Sequence, residues 1–460
     1  MNGALGSRSK CGRLAAFPID RSVVSRLFGW PGSADTARTM AGEERRVRRA
    51  ASRRPTRRLV PLLLLVPLVV VPTIAMLLAF DGGNATSLPV AAGSTGGAFH
   101  PVAGDFVPDS TMLSECGGSY GCLEQAFGNI AHAQGPRRAI AVFDVQLRRN
   151  ENVERNCHRI VHAIGSATYA RYDGNVARTF AEGSSVCASG YYHGVLERAF
   201  VGITSKATLG KVSRELCVDA GIRRRGFLDY QCRHGLGHGF MIQTGYDLPT
   251  ALSLCSGLGS GWDRVTCTSG AFMENVSTRF GYRSRWLDEE DPLYPCNRVA
   301  AIHRRSCYGR ATTWILQVEE NDFSRAARRC AQAGSTWAYA CFRGFGRDAV
   351  VEARYRDFAQ VRRLCGLAGG YIGECYFGAA RTIGDGEGRV GARTAARFCT
   401  TTPARERVKC AAGLGIVVGL IHETRETRRR ACVELTVRYA AACTAAAQAE
   451  VDPSGRGAWG

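Results

Sequence analysis

Between residues 157 and 443 the apolar positions fall into alternating stretches that fit helices. A longer stretch follows each recurring cysteine, as in "GFGRDAVVEARY" after Cys341. A shorter one ends in the next cysteine, as in "YDLPTALSLC", "NDFSRAARRC", "RDFAQVRRLC" and "GARTAARFC". Asp247, Asp322 and Asp357 stand near the starts of shorter stretches, where a side-chain oxygen caps free backbone N–H groups. Segments such as "GLAGGYIGE" between paired cysteines are turn-rich. The pattern predicts a helix–turn–helix unit repeated along the chain.

Ahead of this region the pattern changes. Leu59–Phe80, "LVPLLLLVPLVVVPTIAMLLAF", runs 22 residues without a charge, long enough to span a bilayer as a helix. Arg45–Arg58, "RRVRRAASRRPTRR", precedes it, and positive charge stays on the cytoplasmic side. The expected organisation has five parts. A basic cytoplasmic tail (1–58) leads into a transmembrane anchor (59–80) and a flexible Gly-, Pro- and Ser-rich linker (81–108). An exported helical-repeat domain (109–445) and a disordered tail (446–460) complete it. The protein is thus expected to be single-pass, in the cell membrane, with its C-terminal domain outside. The alternative is a cleaved signal peptide starting at Met40, which would release a secreted protein.

The 19 cysteines support export, because such density outside zinc modules belongs to oxidising compartments and no CxxC pair occurs. They count out the repeat. Close pairs stand at 217/232, 255/267, 296/307, 330/341, 365/375, 399/410 and 432/443, and the second members recur every 33 to 40 residues. A period of that size marks a solenoid array. Adding 116/122 and 157/187 leaves only Cys11, on the reducing cytoplasmic side. Each pair would staple one unit to the next, in an array where each unit touches only its neighbours. Glycine recurs three residues after the recurring cysteine, at 190, 235, 270, 344, 378 and 413, a scaffold position that lets one helix approach its neighbour closely. The small-residue, two-helix units over 157–443 resemble tetratricopeptide and Sel1-like repeats in architecture. That resemblance implies an all-α, curved solenoid and no particular activity.

The net charge of +20 changes the picture less than its size suggests. Half of it lies in residues 1–58, and only four of the 60 basic residues are lysine. No basic stripe interleaved with aromatics appears, so nucleic acid is not an expected partner. Arginines of the later units, including Arg347 and Arg381, could instead face an acidic protein or envelope polymer. A solenoid scaffold of that kind, without metal or catalysis, is the second reading.

The repeat acts as an internal control for chemistry. Six residues after the recurring cysteine stand His193, His238, Met273, Thr313, Arg347, Arg381 and Ile416, so generic packing does not demand histidine there. Five of the nine histidines fall in three adjacent units, as His158/His162 in "CHRIVHAIG", His193 with Glu197, and His234/His238 in "CRHGLGHGFM". Each pair has i, i+4 spacing, which puts both side chains on one helix face. Glu274 follows in "GAFMENV". Imidazole and carboxylate together suit Zn, Fe, Cu or Mn. His162, His193 and His238 lead as ligands, then Glu197. His158 and His234 rank behind them, being nearer the cysteine staple. Glu197 or Glu274 could serve as general base beside an open metal position. The competing reading is three hydrogen-bonded core pairs. His303 in a short loop and His422 in a late helix read as structural, whereas His132 in "GNIAHAQG" could join the cluster from the N-terminal cap. Asn84 and Asn275 match the N-x-S/T glycosylation pattern. HExxH, CxxCH, GxSxG and Walker motifs are all missing.

Overall fold

Cysteine pairing sets the architecture. A computed structural model describes residues 106–454 apart from 204, 220, 278–283 and 387. The expected cytoplasmic tail, the span Leu59–Phe80 and nearly all of the linker lie outside the described residues. Among the described residues the chain is helical without strands, and no helix is long and apolar enough to cross a membrane. All nine anticipated disulfides are present, from Cys116–Cys122 to Cys432–Cys443.

Ten helices follow one another as a stack: α1 Tyr120–Gln134, α2 Cys157–Arg171, α3 Val186–Ala199, α4 Phe227–Gln243, α5 Gly261–Asn275, α6 Ala301–Val318, α7 Gly334–Glu352, α8 Ile372–Asp385, α9 Arg407–Ile421 and α10 Ala440–Glu450. Each packs on the next in sequence order. Shorter helices, among them Leu248–Ser256, Phe323–Ala331 and Phe358–Cys365, connect the stack helices and lead into the next staple. Between α5 and α6 the described residues 284–300 form turns and bends instead.

The recurring glycine does what its position implies. A Cβ at Gly270, Gly378 or Gly413 would overlap a backbone carbonyl of the preceding stack helix, that of His234, Arg343 and Phe377 respectively. Only a hydrogen fits, so the helices approach to backbone contact. Stack helices then reverse into the shorter helices through a shared turn. Pairs of left-handed residues recur at Asp173/Gly174, Gly245/Tyr246, Glu320/Asn321 and Arg354/Tyr355. The second member of each donates its N–H five residues back, Tyr246 to Met241 and Asn321 to Leu316 both at 2.7 Å. This is the Schellman closure of a helix C-terminus.

Four expectations need correction. The array does not keep contacts to neighbours alone. Trp262 N–H donates to Pro453 O at 3.2 Å, Arg223 Nη2 donates to Leu420 O at 3.1 Å, and Tyr230, Trp262 and Leu420 form one apolar cluster. The last units therefore return onto α4 and α5. The closeness allowed by glycine permits that curvature. Ordered structure also passes the boundary expected at 445, since α10 runs to Glu450. Asp322 and Asp357 cap their helices through backbone N–H groups, whereas Asp247 caps nothing with its side chain. Its carboxylate is taken by Arg285 at 2.8 Å. His303 sits inside α6, not in a loop.

Candidate metal centre

Four successive stack helices bring the seven singled-out residues together. α2 carries His158 and His162, α3 carries His193 and Glu197, α4 carries His234 and His238, and α5 carries Glu274. Glycine sets the separation. A Cβ at Gly190 or Gly194, on either side of His193, would meet the carbonyls of His158 and His162. On the other side, Gly237 lies against the Cys267 carbonyl and Gly270 against that of His234. With the backbones in contact, the i, i+4 side chains of three helices share one interior space. Ring centroids of His193 lie 5.4 Å from both His158 and His162, 5.1 Å from His234 and 4.4 Å from His238.

Hydrogen bonds fix which nitrogen faces inward in three of the rings. His162 Nδ1 lies 2.7 Å from Glu197 Oε1, and His238 Nδ1 lies 2.8 Å from Glu274 Oε2. His158 Nδ1 lies 2.6 Å from the Cys187 carbonyl oxygen. Ionised carboxylates and carbonyls accept, so these three Nδ1 atoms carry a proton, and Nε2 is the nitrogen left to face inward. The Nε2 atoms of His158 and His162 face each other at 3.0 Å, and those of His234 and His238 at 3.4 Å. Two lone pairs so placed repel unless a proton or a metal ion lies between them. Imidazoles held from behind through Nδ1 are the arrangement in which histidines ligate metals.

His193 stands between the two pairs. It is 1 % exposed, and neither ring nitrogen has a hydrogen-bond partner. Buried polar atoms nearly always find one. Burial, then the neighbouring histidines, holds the His193 ring well below its usual pKa, so it is neutral. Burial likewise lowers His234, reinforced by Arg310. Donor atoms converge in three overlapping groups, within 4.8 Å of one another in each: His158, His162 and His193; His193, His234 and His238; Glu197, His238 and Glu274. Buried His and Glu groups thus stand where they could hold a metal ion. The two carboxylates are at most 4 % exposed, and buried negative charge is costly without a cation nearby.

His158 and His234, ranked lower from sequence, lie as close to the centre as the favoured three. His132, His303 and His422 belong to none of the three groups. His303 faces Thr268 Oγ1 at 3.5 Å. Sequence reasoning missed Tyr246, whose hydroxyl donates to Glu274 Oε1 at 2.7 Å and holds that carboxylate behind His238. It also missed the Cys187 carbonyl and the role of Gly194, although the adjacency of Gly194 to His193 was a signal. Arg381 is 3 % exposed, with its guanidinium on the Tyr230 hydroxyl at 3.3 Å. Arg347 is engaged by Asp348 at 2.8 Å. Asn275 is buried, its carboxamide oxygen accepting from Ser284 Oγ. Compared with known proteins, the chain matches no family model, no curated protein and no solved structure.

Proposed function

We propose that this chain is an extracytoplasmic, membrane-anchored helical-repeat metalloprotein whose histidine cluster binds a divalent transition metal. The observation that carries the reading is His193, buried between two oriented histidine pairs with neither ring nitrogen hydrogen-bonded. The donors are imidazole nitrogens backed by carboxylates, with no thiolate free, since the described cysteines are in disulfides. Such a set suits Zn and Cu before Fe or Mn. The rings other than half-buried His158 are nearly sealed from solvent, which favours a structural or electron-transfer ion over water activation. Glu197 and Glu274 are read as groups that orient His162 and His238 and balance the ion's charge. Anchoring rests on Leu59–Phe80 and the arginines before it.

The test is elemental analysis of the purified, oxidised protein after supplementation with Zn, Cu, Mn or Fe. Stoichiometric metal that is lost on mutating the histidines supports the reading. A chain that stays empty after supplementation overturns it and leaves the scaffold reading. Fractionation with N-terminal sequencing tests the anchor, and a membrane-released chain beginning after residue 80 would contradict it.

A further inference from the structure

The five histidines do not converge as one ligand set. Their donor atoms form two groups that share only His193. Each group contains a matched i, i+4 pair, one on α2 and one on α4, with Nε2 atoms set face to face at 3.0 and 3.4 Å. α3 lies between them and contributes one ring with two nitrogens, neither hydrogen-bonded. One imidazole can present one nitrogen to each side.

Resting on the metal-binding reading above, we infer that the centre is dinuclear and that His193 bridges two metal ions, one completed by His158 and His162, the other by His234 and His238. Two divalent ions bring four positive charges, and Glu197, Glu274 and the bridging ring offset three of them. With one ion bound through one nitrogen, the other nitrogen of the His193 ring carries the N–H. Binding the second ion requires both lone pairs, so that N–H bond breaks and its proton leaves to solvent, while the electron pair stays on nitrogen and forms the new bond to the metal. No oxidant or reductant is needed. An N-only set with an imidazolate bridge is chemistry suited to copper and zinc.

The experiment titrates metal-free full-length protein with Cu(II) and, separately, Zn(II), reading bound metal after desalting, proton release, and the electron paramagnetic resonance of the copper form. Two ions per chain are expected. The copper signal should rise to one equivalent and fall as the second fills, because the bridge couples the two spins. His193→Gln should restore uncoupled signals or lose metal. The double variant His158→Gln/His162→Gln should keep one uncoupled copper, which also shows that it folds. Saturation at a single ion in the unmutated protein overturns the dinuclear inference while leaving the metal-binding reading intact. Two uncoupled ions, unchanged by His193→Gln, overturn it as well. No bound metal overturns the reading beneath it.

Discussion

Gly194 and His193 are neighbours with opposite kinds of constraint. The glycine must be small because the His162 carbonyl occupies the place of its Cβ. The histidine must be there because its ring stands in donor range of all four flanking histidines. Gly194→Ala should therefore cost about 2–4 kcal/mol through overpacking and weaken metal binding by separating α2 from α3. Gly121→Ala, in α1 with nothing within 4 Å, should be neutral or stabilising by about 0.5–1 kcal/mol. Thermal melts of both, with and without metal, check the pair, and equal effects would contradict the close-approach account. Tyr246→Phe removes the donor on Glu274 Oε1 and should cost about 1–3 kcal/mol for the lost buried hydrogen bond to a carboxylate. His303 tests a different point. Burial pushes its pKa down to about 4 from 6.5, so the folded state keeps it neutral while the unfolded chain takes up a proton first. Its contribution is whole above about pH 6.5 and is lost as pH falls toward 4. His303→Gln should flatten the stability profile in that window by on the order of 1 kcal/mol at pH 5.5, measured by denaturant melts across pH.

Among elements, the disulfides and the left-handed turns do the repetitive work. Most close staples join the end of a short helix to a stack helix, as Cys330–Cys341 does across a separation of 11 residues. Replacing both of these cysteines with serine should lower stability by roughly 2–4 kcal/mol. Helical circular dichroism on melting with and without reductant checks the framework as a whole, and identical melts would contradict it. Glu320 adopts φ 52°, a conformation that costs a side-chain-bearing residue about 1 kcal/mol. Glu320→Gly should therefore raise the melting temperature rather than lower it. The disulfides were legible in the chain because a disulfide demands adjacent backbones and the spacing repeated, whereas the left-handed turns carry no common residue type and were not read from it. The histidine cluster was legible for a related reason. Equivalent positions in successive units must share a face, so a histidine present in only some units stood out. Asp247 was misread because its capping role is local, whereas its actual partner Arg285 lies in the segment after α5, beyond the reach of any helical spacing rule.

At the scale of the molecule the decisive feature left no periodic trace. Contacts that bring Leu420 and Pro453 to α4 and α5 depend on curvature summed over many close helix–helix approaches, and no single spacing encodes that sum. The consequence is energetic. In an open array each unit answers only to its neighbours, so loss of the C-terminal end would be felt no farther than α9 and α10. Here Val451 and Pro453 carbonyls accept from Arg225 and from the backbone of Trp262, flanking the segment that carries His234 and His238. Ending the chain at Glu450 should cost about 1–2 kcal/mol for the lost hydrogen bonds and apolar cover. It should also raise amide exchange at Trp262 and along the first turn of α5, over 170 residues from the cut. Hydrogen exchange read by mass spectrometry on the truncated and full chains decides the matter. Faster exchange confined to α10 would mean that the ends touch without supporting each other. Faster exchange reaching α5 would tie the histidine-bearing units to the closing of the array.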